Sequence, residues 1–590
     1  MLASIALVGC TNTDEPEVNN GNENGGKAEA YMSVKLVMTE TGGSRATDGG
    51  YNAGEDGTAV GTISEQKIDG TKSIFLFYDE KGNWVTSGQL ISANALSNGG
   101  ASTHTGHTSD INDIKDNAYV VLSSPTDAIK KIKQVLTVVN YSKCGSLLQK
   151  TKAQALQTIA TDAANEDPAK AGFLMSTSVY LDANNNLVNT TAVLGDDVNN
   201  EDGSVIKANI QATQEGAKAN PVKIYIERAS AKVQLTHGQS KTVIKEATEF
   251  EVKGSENGDS DEAGGQEGND IVIDGVQYPA YISIDGWTIN NVNTTTNLVK
   301  QLDDTWAETA PFASWNNPTN FRSYWAKGTK YTNTDNTGLV VYNWKQAVEN
   351  MEDNIVNDAM YCYEQTAGTV KAAKGTLSPN VTTMLIAASI KIKKSATEEA
   401  TAVGNIYQYG GVFYGEADYK SLLLKQIQEV GYMKAGETAG SYVNLAATDL
   451  EIASDGTLAG IEVTVKAAGT YVKNVVETSG EDGEVTYTAT ESSDKDINDF
   501  LGKLAYVTEV EGFAEGKCYY QIPIEHFGTH GVVRNHWYKL NISSVIRIGN
   551  AVYNPTILIP QIPEQETSYY LAAEIHVLNW HVVEQDVTLE

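Results

Sequence analysis

The chain has 590 residues, with 43 Lys and Arg against 75 Asp and Glu and a formal net charge of -32. That length is too great for one hydrophobic core, and that charge excludes nucleic acid as a partner, because nothing would neutralise phosphates. No apolar run is long enough to cross a bilayer as a helix.

The first residues form a short apolar run ending in Leu7-Val8-Gly9-Cys10, with no basic residue before it. Small residues ahead of a cysteine read as a lipoprotein signal. The expectation is a signal peptide over 1–9, cleavage before Cys10, and acyl chains such as palmitate on its thiol and amine. Thr11 to Lys27 is polar and Asn/Gly/Glu-rich, with Asp14, Glu15 and Glu17 soon after the cysteine, and cannot form a core. In Tyr31 to Thr39, Met32, Val34, Leu36 and Met38 alternate with Ser33, Lys35, Val37 and Thr39. A period of two predicts a strand with one buried face. Glu40 to Gly50 cannot pack and exposes the Arg45-Ala46 bond to proteases. A buried strand on a cleavable tether is a removable part. Full burial of the four alternating side chains is worth on the order of 6–12 kcal/mol as an upper bound.

Ser73 to Tyr78 and Trp84-Val85 flank the turn Asp79-Glu80-Lys81-Gly82-Asn83 and predict a hairpin. Asn117 to Leu122 predicts a further strand. Pro125-Thr126-Asp127 predicts a helix start with Thr126 as N-cap, since Ile129, Ile132, Val135, Leu136 and Val139 fall at helical spacing. Leu148 to Ala164, with Leu148, Leu156, Ile159 and Ala163 on one face, predicts a second helix. Strands follow at Phe173 to Met175, Val222 to Ile226 and Ala229 to Leu235. Lys253 to Asp270 is acidic and Gly-rich without EF-hand spacing, so it reads as a solvated loop near a domain boundary at about residue 240.

The second half is again strand-rich, at Tyr281 to Ile289, Tyr361 to Tyr363, Thr383 to Ile392, Gly460 to Val465, Val485 to Thr490, Cys518 to Ile524 and Trp537 to Ile548. One helix is expected after Asp418 as its cap, carrying Leu423, Ile427 and Val430 and stopped by Gly431. Strands dominate, so the fold class is all-β with minor helices, as two successive β-sandwiches. Pro555, Pro560 and Pro563 then break the sheet pattern. Beyond them come two alternating runs: Leu571, Ala573, Ile575 and Val577, then Val583, Gln585, Val587 and Leu589. A terminal strand of this kind can fold back on its own domain or reach into a neighbour.

Cys10, Cys144, Cys362 and Cys518 are widely spaced with no C-x-x-C, and three remain once Cys10 carries lipid. Buried thiols are expected, not a disulfide framework. Eight histidines are present. His526, His530 and His536, beside Glu525, have His-x3-His spacing for zinc, but Pro523 and Gly528 oppose a helix there, so loop and edge histidines are expected. His104 and His107 lie in a Ser/Thr/Gly loop. No nucleophile elbow, phosphate loop or metalloprotease motif occurs. A non-enzyme without cofactor or metal is expected.

Taken in order, Leu7-Val8-Gly9-Cys10, Met32-Ser33-Val34, Ser44-Arg45-Ala46-Thr47-Asp48, Glu227-Arg228-Ala229-Ser230-Ala231-Lys232, Gly286-Trp287-Thr288, Tyr361-Cys362-Tyr363-Glu364, Arg534-Asn535-His536-Trp537-Tyr538 and Val577-Leu578-Asn579-Trp580 resemble the Mfa-like fimbrillins, subunits of type V pili of Bacteroides-type bacteria. The resemblance implies two transthyretin-like β-sandwich domains. These would span 46–240 and 241–555, after a propeptide with the removable strand at 10–45 and before a donor-strand segment at 556–590. It implies an Arg-specific protease cutting at Arg45-Ala46. C-terminal strands of another copy would then fill the vacated groove, giving a head-to-tail polymer. It also implies accessory anchor and tip subunits, host or bacterial surface receptors, and a lipidated precursor at the outer membrane. The rival is a surface-anchored glycan-binding lipoprotein, which would need neither the Arg45 loop nor a donor run.

Overall fold

The computed structural model of the chain describes residues 29–37, 52–53, 68–92, 118–123, 126–161, 172–177, 180–181, 187–188, 191–192, 197–199, 205–207, 209–211, 214–219, 222–253, 270–301, 327–329, 338–356, 358–366, 381–395, 397–438, 440–466, 470–480, 485–524, 531–560, 576–577 and 581–589.

In the first half, strands β1 (Glu29–Val37), β2 (Ile74–Tyr78), β3 (Trp84–Ser92) and β4 (Ala118–Ser123) are followed by helix α1 (Thr126–Ile129) and strand β5 (Gln134–Val139). Helix α2 (Lys152–Leu156), β6 (Met175–Thr177) and β7 (Val222–Arg228) complete it. The strand order is β5-β2-β3-β4-β1-β7-β6, and β6 also pairs with β5. The sheet therefore closes on itself around Met32, Phe75, Phe77, Val120, Leu122, Val135, Met175, Ile224 and Ile226.

Both helices expected here are shorter than the sequence pattern suggests. The first stops at Ile129, and Val135 to Val139 is strand, paired with β2 and buried on both faces. A run buried on both sides has no period of its own, so helical spacing arose by coincidence; the β-branched Val135, Thr137, Val138 and Val139 decide for the pleated form. The second helix is one capped turn: Thr151 and Gln154 form a reciprocal capping box, and the helix ends at Leu156. Ile159–Ala160 then pairs with Thr296–Asn297 of the second half.

At Ala229 the chain passes from the first sheet into the second with strand β8 (Ser230–His237). The second half continues through β9 (Ala280–Asn290), helix α3 (Trp344–Asp353), β10 (Met360–Tyr363) and β11 (Thr383–Ile392). After helix α4 (Glu416–Glu429) come β12 (Tyr432–Ala435), β13 (Tyr471–Ser479), β14 (Val485–Ser492) and helix α5 (Asp494–Leu501). The last strands are β15 (Lys517–Pro523), β16 (His536–Val545), β17 (His576–Val577) and β18 (His581–Leu589).

One sheet holds β8, β16, β18 and β17 in that order, and a second holds β9, β11 and β15. They face each other across Val233, Leu235, Leu540 and Ile542 on one side and Ile282, Ile284, Trp287, Met384, Ile386 and Tyr520 on the other. This is a β-sandwich. Trp287 is fully buried and donates its indole N–H to the Ile244 carbonyl at 2.9 Å. Helix α3 covers the outer face of β9 and β11, where Leu385 and Ala387 pack under Ala347 and Val348. Gly286 permits this approach: a Cβ there would sit 2.4 Å from the Val348 Cα.

A third apolar cluster, with Tyr419, Leu423 and Ile427 of α4, Tyr471 of β13 and Ile497 and Leu501 of α5, forms a separate lobe. Its helix α4 starts earlier than expected: Gly415 is the N-cap. Asp418 sits in the first turn instead and accepts the backbone N–H groups of Asp274 and Gly275 at 2.8 and 2.9 Å. The described cysteines, Cys144, Cys362 and Cys518, are buried free thiols. Burial pushes the Cys362 thiol up to about 12, so it is inert.

Candidate assembly site

Strand β1 is a stave of the closed first sheet. It runs antiparallel to β4 over six register pairs, Glu29 opposite Ser123 to Val34 opposite Ala118. On its other side it runs parallel to β7, with Val34, Leu36 and Val37 opposite Val222, Ile224 and Tyr225. Met32 is fully buried in the core this sheet encloses. Taking β1 away would leave a slot bounded by two strand edges and floored by an apolar core. Such a slot demands another strand, because both edges carry unpaired backbone groups. Met38, Cys10, Arg45 and Ala46 lie outside the described residues. The Arg45-Ala46 bond is nevertheless bracketed: Val37 ends β1 in the first sheet, and Asn52–Ala53 pairs with β17 at the rim of the second.

The C-terminal runs divide. Val583, Val587 and Leu589 belong to β18, which runs parallel to β16 over nine register pairs from His536 opposite His581 to Val545 opposite Leu589. The second run is thus folded back onto its own half. Val577 lies in β17, which turns back on β18 at His581. Leu571, Ala573 and Ile575 lie outside the described residues. Strands β1 and β18 are both nine residues long.

Between slot and tail lies a buried polar junction that the motifs pointed to without revealing its purpose. Glu227 and Arg228 end β7; Arg534 and Asn535 lead into β16; Glu364 follows β10; Lys300 follows Asn297. Lys300 Nζ meets Glu227 Oε2 at 2.9 Å, and Arg534 Nε meets Glu364 Oε2 at 2.9 Å, all four side chains being fully buried. Arg534 also donates through Nη2 to the Asn297 carbonyl at 2.7 Å. Arg228 donates through Nη1 to Asn535 Oδ1 at 3.1 Å, and the Asn535 N–H donates to the Ser230 carbonyl at 2.8 Å. Asn535 sits at φ 56°, a left-handed conformation Asn tolerates. Burial pushes the Glu227 carboxyl up, with Lys300 and Arg534 opposing. An apolar contact accompanies the charges: Tyr361 of β10 enters the first core and packs on Phe173, ring centroids 4.7 Å apart.

His536 belongs to this junction; His526 and His530 lie outside the described residues. Its Nδ1 lies 2.7 Å from the Arg534 carbonyl oxygen, and burial holds the ring down to about 3 against an ordinary 6.5. The unfolded chain takes a proton there below about 6.5 that the folded chain refuses. The stability tied to a neutral His536 is therefore complete above about 6.5 and lost as the pH falls towards 3. Thermal melts should show Tm of the intact chain dropping more steeply below pH 6.5 than that of His536→Gln. Parallel slopes for the two proteins would mean that His536 titrates normally.

Residues 511–586 match the family described as "Major fimbrial subunit protein type IV, Fimbrillin, C-terminal". That span takes in β15, β16, β17 and most of β18. No curated protein matches the chain. Among solved structures, a fimbrial assembly protein from Parabacteroides distasonis is 9% identical, covering 63% of this chain and 84% of its own at a TM-score of 0.23. A candidate cell adhesion protein from Bacteroides eggerthii is 12% identical, covering 65% and 80% at a TM-score of 0.26.

Proposed function

We propose that the chain is an Mfa-like fimbrillin, a reading that the C-terminal family match supports, and that it is a stalk subunit of a surface fimbria that polymerises by protease-triggered strand exchange. The carrying observation is the placement of β1, paired on both sides and lying over an apolar core through Met32. In this reading the precursor is lipidated at Cys10 on the outer membrane, with β1 filling its own slot and blocking assembly. An Arg-specific protease cuts Arg45-Ala46, β1 leaves, and a C-terminal run of the next copy takes its place. Slot and tail sit in different sheets of one chain, so the contact is head-to-tail, and repeated without closure it gives a filament. Assembled subunits, together with anchor and tip subunits, would support adhesion to host or bacterial surfaces; the role is structural, without catalysis.

The pairing of β18 with β16 bears on which run is donated. Donating the second run requires breaking nine register pairs within its own sheet. Donating Leu571 to Val577 does not, and leaves β18 as the anchor that ties the donor to its owner.

N-terminal sequencing of heat-resistant polymer extracted from cells tests the scheme. The expected first residue is Ala46. Polymer whose subunits begin upstream of Glu29 and retain β1 would exclude exchange at this slot.

A further inference from the structure

Of the two ion pairs at the junction, one can react and the other cannot. Arg534 meets Glu364 through a guanidinium, which keeps its charge in a protein and is no nucleophile. Lys300 meets Glu227 through a primary amine: Nζ lies 2.9 Å from Oε2, and the two side chains are 0% and 4% exposed. An amine held against a carboxyl group and shut away from water is the reactant pair of an amide bond.

Both partners are fixed, one from each half. Glu227 lies in β7, opposite Ser176 of β6 in the first sheet. Lys300 stands on a segment of the second half that docks on the first. Thr296–Asn297 pairs with Ile159–Ala160, and the Leu298 N–H donates to the Thr158 carbonyl at 2.9 Å. Leu298 and Val299 are fully buried beside Ile74, Leu76 and Leu136. Holding two reactants in contact replaces a chance collision, and good alignment gives effective concentrations on the order of 10⁵ M or more.

The carboxyl is suited to attack. Glu227 Oε1 accepts no hydrogen bond, so one of its oxygens lacks the donor that a buried carboxylate requires. Burial, and in smaller part the Glu364 carboxylate, push the Glu227 carboxyl up against the pull of Lys300 and Arg534. That favours the uncharged acid, the form an amine can attack. Two ions sealed from water are costly to keep, and an amide removes both.

We propose that Glu227 and Lys300 condense after folding into an isopeptide bond that joins the two halves covalently at this junction. A proton passes from the Lys300 ammonium to the Glu227 carboxylate, leaving amine and acid. Nζ attacks Cδ; the Nζ–Cδ bond forms, one Cδ–O bond breaks, and that oxygen leaves as water with two of the three ammonium protons. The third stays on the amide nitrogen. One positive and one negative charge vanish together, so the net charge of the junction is unchanged and no oxidant or activated group is needed. The bond ties the unfolded chain into a loop from 227 to 300, which stabilises the fold by restricting its alternatives. It forms within one chain and depends on neither cleavage nor strand exchange.

Mass spectrometry of the full uncleaved chain, purified folded, tests this. The expected mass is one water below the mass its sequence gives. A tryptic digest should hold Ile224–Arg228 joined to 254–322, left uncut at Lys300 because its amine is blocked. Glu227→Gln with Lys300→Met, which strands no charge and has no amine, should show full mass and a free 224–228 peptide, with circular dichroism confirming the fold. A folded native chain of full mass, cut at Lys300 and yielding free 224–228, overturns the proposal. So does a water lost elsewhere while 224–228 stays free. Either result leaves the strand-exchange reading untouched.

Discussion

Arg45→Ala subunits treated with a trypsin-like protease are expected to form no filaments, with polymer yield at background, while native subunits form filaments. The magnitude follows from what β1 holds. Its backbone is paired to β4 and to β7, and Met32 lies in the core between them. If the four alternating side chains Met32, Val34, Leu36 and Met38 contribute roughly 6 kcal/mol, the low end of that upper-bound range, the slot would be open only a few parts in a hundred thousand of the time while β1 stays tethered. Cutting the tether makes departure irreversible by dilution. Electron microscopy and gel mobility of unheated samples read the outcome. Filaments from Arg45→Ala at the native rate, with no cut nearby, would sink the scheme. Deleting 571–590 should abolish polymer as well. Leu571→Asp with Ile575→Asp is expected to have the same effect, because a charged side chain cannot enter the apolar floor of the slot. If that double variant polymerises normally, the first run is not the donor.

Glu364→Gln is expected to destabilise the chain by about 3–5 kcal/mol, because Arg534 would keep its charge while fully buried and without its carboxylate partner. Arg534 is fully buried, and Glu364 is its carboxylate partner at 2.9 Å. Glu227, the other buried carboxylate at the junction, is already engaged by Lys300. Removing both charges, as Glu364→Leu with Arg534→Met, should cost clearly less than Glu364→Gln alone, since no charge is then left stranded. Urea unfolding of the native chain, the single variant and the double variant reads the difference. A double variant no better than the single one would show that the pair acts through shape, not charge. The junction joins the end of β7, which borders the slot, to the start of β16, on which β18 lies. Loosening it should therefore soften the link between acceptor and tail as well as the fold.

Strand-rich character was legible in the chain because alternation is local. Met32 to Met38 announces β1, Val485 to Thr490 announces β14, and Val583 to Leu589 announces β18, each from its own side chains. Where burial is two-sided the signal fails: Val135 to Val139 reads equally as helix or strand, and only pairing with Ile74 to Tyr78 decides it. Nor could the sequence say that Glu227, Lys300, Glu364 and Arg534 meet. Their separations run to hundreds of positions, and a charge carries no mark of its partner.

By itself, then, the sequence pointed to most of the strands, to a tether expected to be open to a protease, and to the family that the order of motifs resembles. The tertiary structure decided that β1 is flanked on both sides, that the last run lies on β16, and that two buried ion pairs close the joint between the two cores. Periodicity reports the environment of one strand, whereas pairing and charge complementarity depend on which distant segments share a sheet. That choice is made only when the whole chain folds.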